Sequence, residues 1–308
     1  MMLAPIAYNE AGLLLFGTLC VGWVAHALRA AQGRAGCWIV AGILAGLGCG
    51  TKFTAVPMLV VAVPLAGALS CPKDWRGTIP RAFTFVVAAM VTLAPWLIRN
   101  VVWARNPVFP QATGLFGKAN FTDVQVERWA RAHAPRDDQR SAAARLAALW
   151  KQAPADWRFG FSVLPLGLIA ALCSWRLRDS RFLILLLLLM TGFWLCFTHL
   201  QGRFLVLAIP LAALLIGQIQ SLRWLIPAVL GVVAGSSAGW LILVGRIDAV
   251  RPVLGLDDMN FLLREIVLPR DVADRMLEST QRVSLVGDAR AFWYSIPTSR
   301  LRYRTVFD

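Results

Sequence analysis

Apolar residues in this chain gather into long blocks instead of alternating along strands or recurring on one helix face. Eight blocks can be marked, at roughly 11–28, 36–50, 54–70, 82–98, 160–175, 182–199, 204–219 and 224–245, with short basic stretches between most of them. A perpendicular membrane-spanning helix needs about 20 predominantly apolar residues, and blocks near this length punctuated by cations are the bilayer pattern. The expected fold is an all-α polytopic membrane protein with about eight transmembrane helices. Gly48, Cys49, Gly50, Thr51 and Lys52 interrupt what would otherwise be one stretch joining the second and third blocks. Lys52 decides the split, because a lysine at the bilayer centre costs about 3 kcal/mol on insertion scales, whereas at a turn it reaches water.

The pattern divides the chain into transmembrane helices 1–4 over 1–98, an outer loop over 99–159, transmembrane helices 5–8 over 160–245, and an outer segment over 246–308. Within the loop, Asp123 can cap a helix through Val124, Glu127, Arg128 and Trp129, and Asp138 can start another through Leu146, Leu149 and Trp150. Arginines on one side and Trp or Leu on the other suit the outer leaflet, with a small soluble helical hairpin as the alternative. In the last segment, Leu256 to Ser279 reads helical, and Arg282 to Asp288 and Arg302 to Phe307 read as strands, which predicts a small C-terminal α/β unit. The fold is expected to continue beyond Asp308. Two spans carry glycines at helical spacing, Gly42, Gly46 and Gly50 in one and Gly231, Gly235 and Gly239 in the other. Such ladders let helix backbones approach closely in lipid.

Charge sets the orientation. With the N-terminus outside, the short inner connections carry Arg29, Arg34, Lys73, Arg76, Arg81, Arg176, Arg178, Arg181 and Arg223, while the short outer ones carry only Lys52 and Arg203. This is the positive-inside arrangement, with both long segments facing out, and it predicts a multi-pass membrane protein. The formal charge of +14 first invites a nucleic-acid reading, but the cations punctuate apolar spans and form no solvated stripe, so nucleic acid is excluded as a partner. Composition agrees: 58% hydrophobic and 16% charged lies well outside the soluble range. The six cysteines form no CxxC pair, and the three histidines, His26, His133 and His199, have no metal-ligand spacing. Buried small hydrophobes are expected for the former, and no metal site or cofactor is expected. Met1 to Pro5 lack the basic region of a signal peptide, so the first span is expected to be retained.

Chemistry is sought on the outer side. Glu10 and Asp74 are the only carboxylates before residue 123, and Asp74 falls inside. Glu10 follows Tyr8 and Asn9 into the first span, where a carboxylate at a cavity mouth can act as a general base or simply complement a helix dipole. Lys52 lies at the second turn, Arg99 and Asn100 end the fourth span, Arg105 and Asn106 follow, and Arg203 opens the seventh beside His199 and Gln201. Guanidinium and ammonium groups gathered on one face fit a phosphate, although snorkelling of interfacial side chains would also place them there. Lys52, Arg99 and Arg203 are the candidate phosphate-binding residues. Tyr8, Asn100, Arg105, Asn106, His199 and Gln201 are candidate substrate contacts.

Several ordered runs resemble the C-fold (GT-C) membrane glycosyltransferases, specifically the dolichyl-phosphate-mannose protein mannosyltransferase-like group. They are AYNEAGLLLF at 7–16, GCGTKFTAVP at 48–57, PWLIRNVVWARNPVFP at 95–110, QGRFLVLAIP at 201–210 and VSLVGDARAFWY at 283–294. The resemblance, which is to bacterial members of that group, implies an inverting multi-pass enzyme of the bacterial inner membrane that moves a sugar from a polyprenyl-phosphate donor to a glycan, lipid or protein acceptor at the outer face. In that family one acid in the first outer loop acts as base and a second lies near a following span. Glu10 matches the second and the first has no counterpart, so upstream spans and the main catalytic loop are expected to precede this chain. A non-catalytic carrier or flippase for lipid-linked saccharides is the competing reading. A structural subunit is a third. Ionisable residues at span ends and the lack of an internal repeat disfavour transport.

Overall fold

The computed structural model describes residues 10–29, 35–71, 75–156, 159, 162–219, 226–243, 282–284 and 302–304. Its helices in order are α1 (Glu10–Arg29), α2 (Ala35–Thr51), α3 (Ala62–Ser70), α4 (Trp75–Ala104), α5 (Thr113–Phe116), α6 (Asp123–His133), α7 (Ala142–Gln152), α8 (Val163–Ser174), α9 (Arg178–Phe197), α10 (Ala208–Gly217) and α11 (Ile226–Leu243). A π-helical turn, Val56–Val61, leads directly into α3. The chain divides into two units, Met1–Thr122 with Val126–Ser237, and Asp123–Gln125 with Ala238–Asp308. In the second, Arg282–Ser284 (β1) and Arg302–Arg304 (β2) pair in parallel with Val283 opposite Tyr303. The rest of the expected α/β segment, including 256–279 and 287–288, lies outside the described residues.

Three helices are long and apolar enough to cross a membrane: Glu10–Arg29, Arg76–Ala104 and Arg178–Phe197. Ala35–Thr51, Val56–Ser70, Val163–Ser174 and Ala208–Gly217 are shorter apolar helices. The fourth apolar block reads as 82–98, yet α4 runs from Trp75 to Ala104. At ~1.5 Å per residue it is about 45 Å long, well beyond a hydrocarbon core of about 30 Å. Pro80 and Pro95 both lie inside it, each removing one intrahelical N–H donor, and the helix continues through both.

In the first unit, α2 packs along α1 and along α4, α3 lies against α9, and α8 against α10. The core gathers Leu13, Trp38, Phe85, Phe182, Leu186 and Met190, each 1% exposed or less. Close approach of α2 to α4 comes from the first glycine ladder. A Cβ on Gly42 would collide with the Phe85 carbonyl, and one on Gly46 would lie 2.5 Å from the Ala89 carbonyl oxygen. Both sets of partners advance by four residues, so α2 and α4 run in the same direction. Gly50 and the second ladder, Gly231, Gly235 and Gly239, meet nothing within 4 Å.

Cys20, Cys37, Cys49 and Cys71 are buried, whereas Cys173 and Cys196 are exposed. At one end of the bundle Arg29 Nε meets Asp179 Oδ2 at 2.6 Å, tying the last residue of α1 to the first turn of α9. Beside it, Arg178 donates to Cys71 Sγ at 3.0 Å. The start of α1, the end of α2 and the end of α9 therefore share the other end.

Candidate anion site at the Glu10 end of the bundle

Glu10 is the first residue of α1 and is 1% exposed. Lys52 follows the last residue of α2, where its backbone N–H still donates to the Gly48 carbonyl at 3.2 Å. Gly12 lets the two helices meet here, since a Cβ on it would lie 2.9 Å from Thr51 Cγ2. Lys52 Nζ then reaches Glu10 Oε1 at 2.5 Å. An acid at a helix start and a base just past a helix end each complement the local dipole, so both charges are favoured twice over. Glu10 Oε2 is buried and accepts no hydrogen bond among the described residues.

A turn after α9 closes over this pair. Lys52 Nζ sits 4.1 Å from the centre of the Phe204 ring, and the Arg203 guanidinium carbon lies 5.3 Å from the same ring. Two cations thus lie against one aromatic ring, an arrangement that attracts each to the ring quadrupole while they repel one another. Arg203 bears electrostatically on both Lys52 and His199. Lys52, Arg203 and Glu10 thus bring two cations and one carboxylate together in a largely buried setting, a grouping whose chemistry suits an anion.

His199 lies on the same turn. Burial holds its imidazole below the ordinary histidine value, reinforced by the charges of His133, Arg203 and Lys52 and opposed by a hydrogen bond to the Gln201 side chain. A folded-state value below the unfolded one means the unfolded chain takes up the proton first. Stability held above about pH 6.5 is then lost as pH falls. The thermal midpoint should drop on acidification to about pH 5 more in the parent than in His199→Gln. Equal pH slopes in the two proteins would remove His199 as the cause.

The remaining candidates fall elsewhere. Arg99 is exposed, stacked 5.0 Å from Trp96 and 4.4 Å from Trp103 on the outward face of α4, which suits an interfacial anchor. Asn100 Nδ2 donates to the Pro107 carbonyl at 3.2 Å. Asn106 is fully buried and braces its loop: its Nδ2 donates to the Gln111 and Gly117 carbonyls, and its Oδ1 accepts from Val108 N. Arg105 is exposed with φ of 52°. Gln201 is exposed, and its carbonyl accepts from Trp194 Nε1 at 2.9 Å. Tyr8 lies outside the described residues.

Three participants have little signature in the sequence. Phe204 stands beside Arg203 in the QGRF run, but its position against Lys52 depends on the turn. His133 has no partner in sequence, yet its ring stacks on Trp129 at 4.2 Å and meets His199 edge-on at 5.6 Å. Gln152 donates nothing to a motif and is found only by its contact with Gly202 N at 3.1 Å. The second loop helix also starts later than expected: Asp137–Gln139 forms a 3₁₀ turn, and Ser141 Oγ, not Asp138, caps α7 through Ala144 N at 3.2 Å. No grouping of three or more metal-ligating side chains occurs among the described residues. Neither a family model, nor a curated protein, nor a solved structure matches the chain.

Proposed function

We propose that this chain is a membrane glycosyltransferase of about eight spans that moves a sugar from a polyprenyl-phosphate donor to an acceptor at the outer face. The eight spans would be the three long apolar helices together with α2, the helix from Val56 to Ser70, α8, α10 and α11. The long loop and the C-terminal segment would lie outside a bacterial inner membrane. The observation that carries the reading is the convergence of Glu10, Lys52 and Arg203, from three separate stretches of chain, around one aromatic ring at one end of the bundle.

In the proposed reaction an acceptor oxygen attacks the anomeric carbon from the face opposite the phosphate. The carbon–oxygen bond to the phosphate breaks, and polyprenyl phosphate leaves carrying the electron pair. Lys52 and Arg203 stabilise that growing negative charge in a site of low dielectric, where one such donor is worth about 3 kcal/mol. Donor phosphate competes with Glu10 for the Lys52 ammonium. That competition loosens the carboxylate, so Glu10 Oε2 takes the hydrogen bond and the proton of the acceptor hydroxyl.

Labelled-sugar transfer from a polyprenyl-phosphate donor in reconstituted membranes tests this. Arg203→Ala and Lys52→Ala should each slow turnover by roughly a hundredfold. Glu10→Gln should lower turnover while leaving donor binding near that of the parent. Turnover and donor binding unchanged in all three variants would remove the assignment.

A further inference from the structure

The turn carrying His199 and Arg203 is held from two sides. On the α9 side, Thr198 Oγ1 donates to the Trp194 carbonyl at 2.7 Å and accepts from Leu200 N at 3.2 Å, while Trp194 Nε1 donates to the Gln201 carbonyl. Leu200 is buried with φ of 55°, a left-handed conformation that an L side chain adopts only when its surroundings impose it. On the other side stands α7, which reads in sequence as an amphipathic helix resting on lipid. Its Arg145 Nη1 donates to the Leu195 carbonyl at 2.5 Å, satisfying a carbonyl in the last turn of α9. Its last residue, Gln152, accepts from Gly202 N at 3.1 Å through Oε1. Gly202 rests so closely on the backbone there that any Cβ would collide with the Gln152 carbonyl. A separate apolar cluster, with Ala148 and Ala153 on one side and Trp194, Leu200, Phe204 and Leu205 on the other, seals the contact.

We infer that Gln152 is a positioning residue for the phosphate site: by holding the Gly202 N–H it sets the direction in which Arg203 is presented beside Lys52. The inference rests on the phosphate reading above. It makes α7 a wall of the site as well as a membrane-surface element. A backbone N–H one residue away from Arg203, fixed by an acceptor fifty residues earlier, leaves the guanidinium pre-oriented before any anion arrives, and pre-orientation is gained as affinity.

The test uses the whole chain in phosphatidylcholine nanodiscs with undecaprenyl phosphate as the probe. Gln152→Met keeps the length of the side chain and removes the accepting oxygen. It should weaken binding about fivefold to tenfold and speed amide exchange in residues 199–205 without a general rise elsewhere. Since Gln152 acts through Arg203, the same substitution in an Arg203→Ala background should cause no further loss. Equal losses in both backgrounds, or unchanged binding in the parent background, would overturn the positioning role. Arg203→Ala alone reports on the underlying reading: if it leaves binding intact, the phosphate site falls, and the inference with it. If Gln152→Met cannot be reconstituted, Gln152→Asn, one methylene too short to reach Gly202, is read in the same way.

Discussion

Lys52→Met is expected to destabilise the protein by about 3–5 kcal/mol, because it strands the Glu10 carboxylate in a site where it has no other ion-pair partner among the described residues. Glu10 is 1% exposed, so water cannot take over the role of the ammonium without opening the end of the bundle. Glu10→Gln combined with Lys52→Met should recover most of that loss, since neither remaining side chain carries a charge. Unfolding in detergent, followed across the double-mutant cycle, measures the coupling directly. The double variant also separates two readings of lost activity. A protein as stable as the parent but unable to bind polyprenyl phosphate has lost a functional cation. A Lys52→Met variant no less stable than the parent would mean that the pair does not hold the two helices together.

Gly46→Val is expected to cost about 3 kcal/mol or more, near the upper range of overpacking. The reason is the material it would strike: the Ala89 carbonyl oxygen and Thr92 Cβ are 2.5 and 2.7 Å from the position of a Cβ, and neither is the far end of a flexible chain. α2 and α4 would have to part along their length, losing the close backbone contact on which helix association in lipid depends. Gly50→Ala provides the comparison. It lies one turn on in the same ladder but meets nothing within 4 Å, so it should be neutral or slightly stabilising through helix propensity. Equal effects of the two substitutions would show that the spacing of glycines, and not the α2–α4 contact, governs this helix.

That contrast also indicates what could be read in advance. Block lengths and glycine spacing locate the apolar helices and the ladder, because both are properties of one segment considered by itself. They cannot say which rung of a ladder meets a neighbour. Arg99 illustrates the same limit. It shares an end of the bundle with Lys52, as charge patterning suggests, but Phe85, Ala89 and Leu93 set the buried face of α4, which continues at Leu97. Two further residues rotate the helix by ~200°, so Arg99 emerges on the far side among exposed tryptophans. Glu10 and Lys52 each stand at a helix end, where direction is set by the neighbouring backbone, and their pairing needs only the close crossing at Gly12. The roles of Gln152 and Ser141 leave no periodic trace. Each acts through one hydrogen bond to a backbone group whose position depends on the turn it helps to fix.

The bond between Arg29 and Asp179 joins residues 150 positions apart. During synthesis α1 and α2 would enter the membrane long before α9 leaves the ribosome, with the Glu10–Lys52 pair already able to cancel its own charge. The turn that brings Arg203 and Phe204 can settle only after α9 has docked beside α1. Assembly is then ordered in time, with the early hairpin storing a neutral pair and the late helix bringing a second cation beside it. A chain halted before α9 would hold the carboxylate and the lysine but no second cation, so the cluster of three charged groups is complete only once α9 and the turn after it are in place.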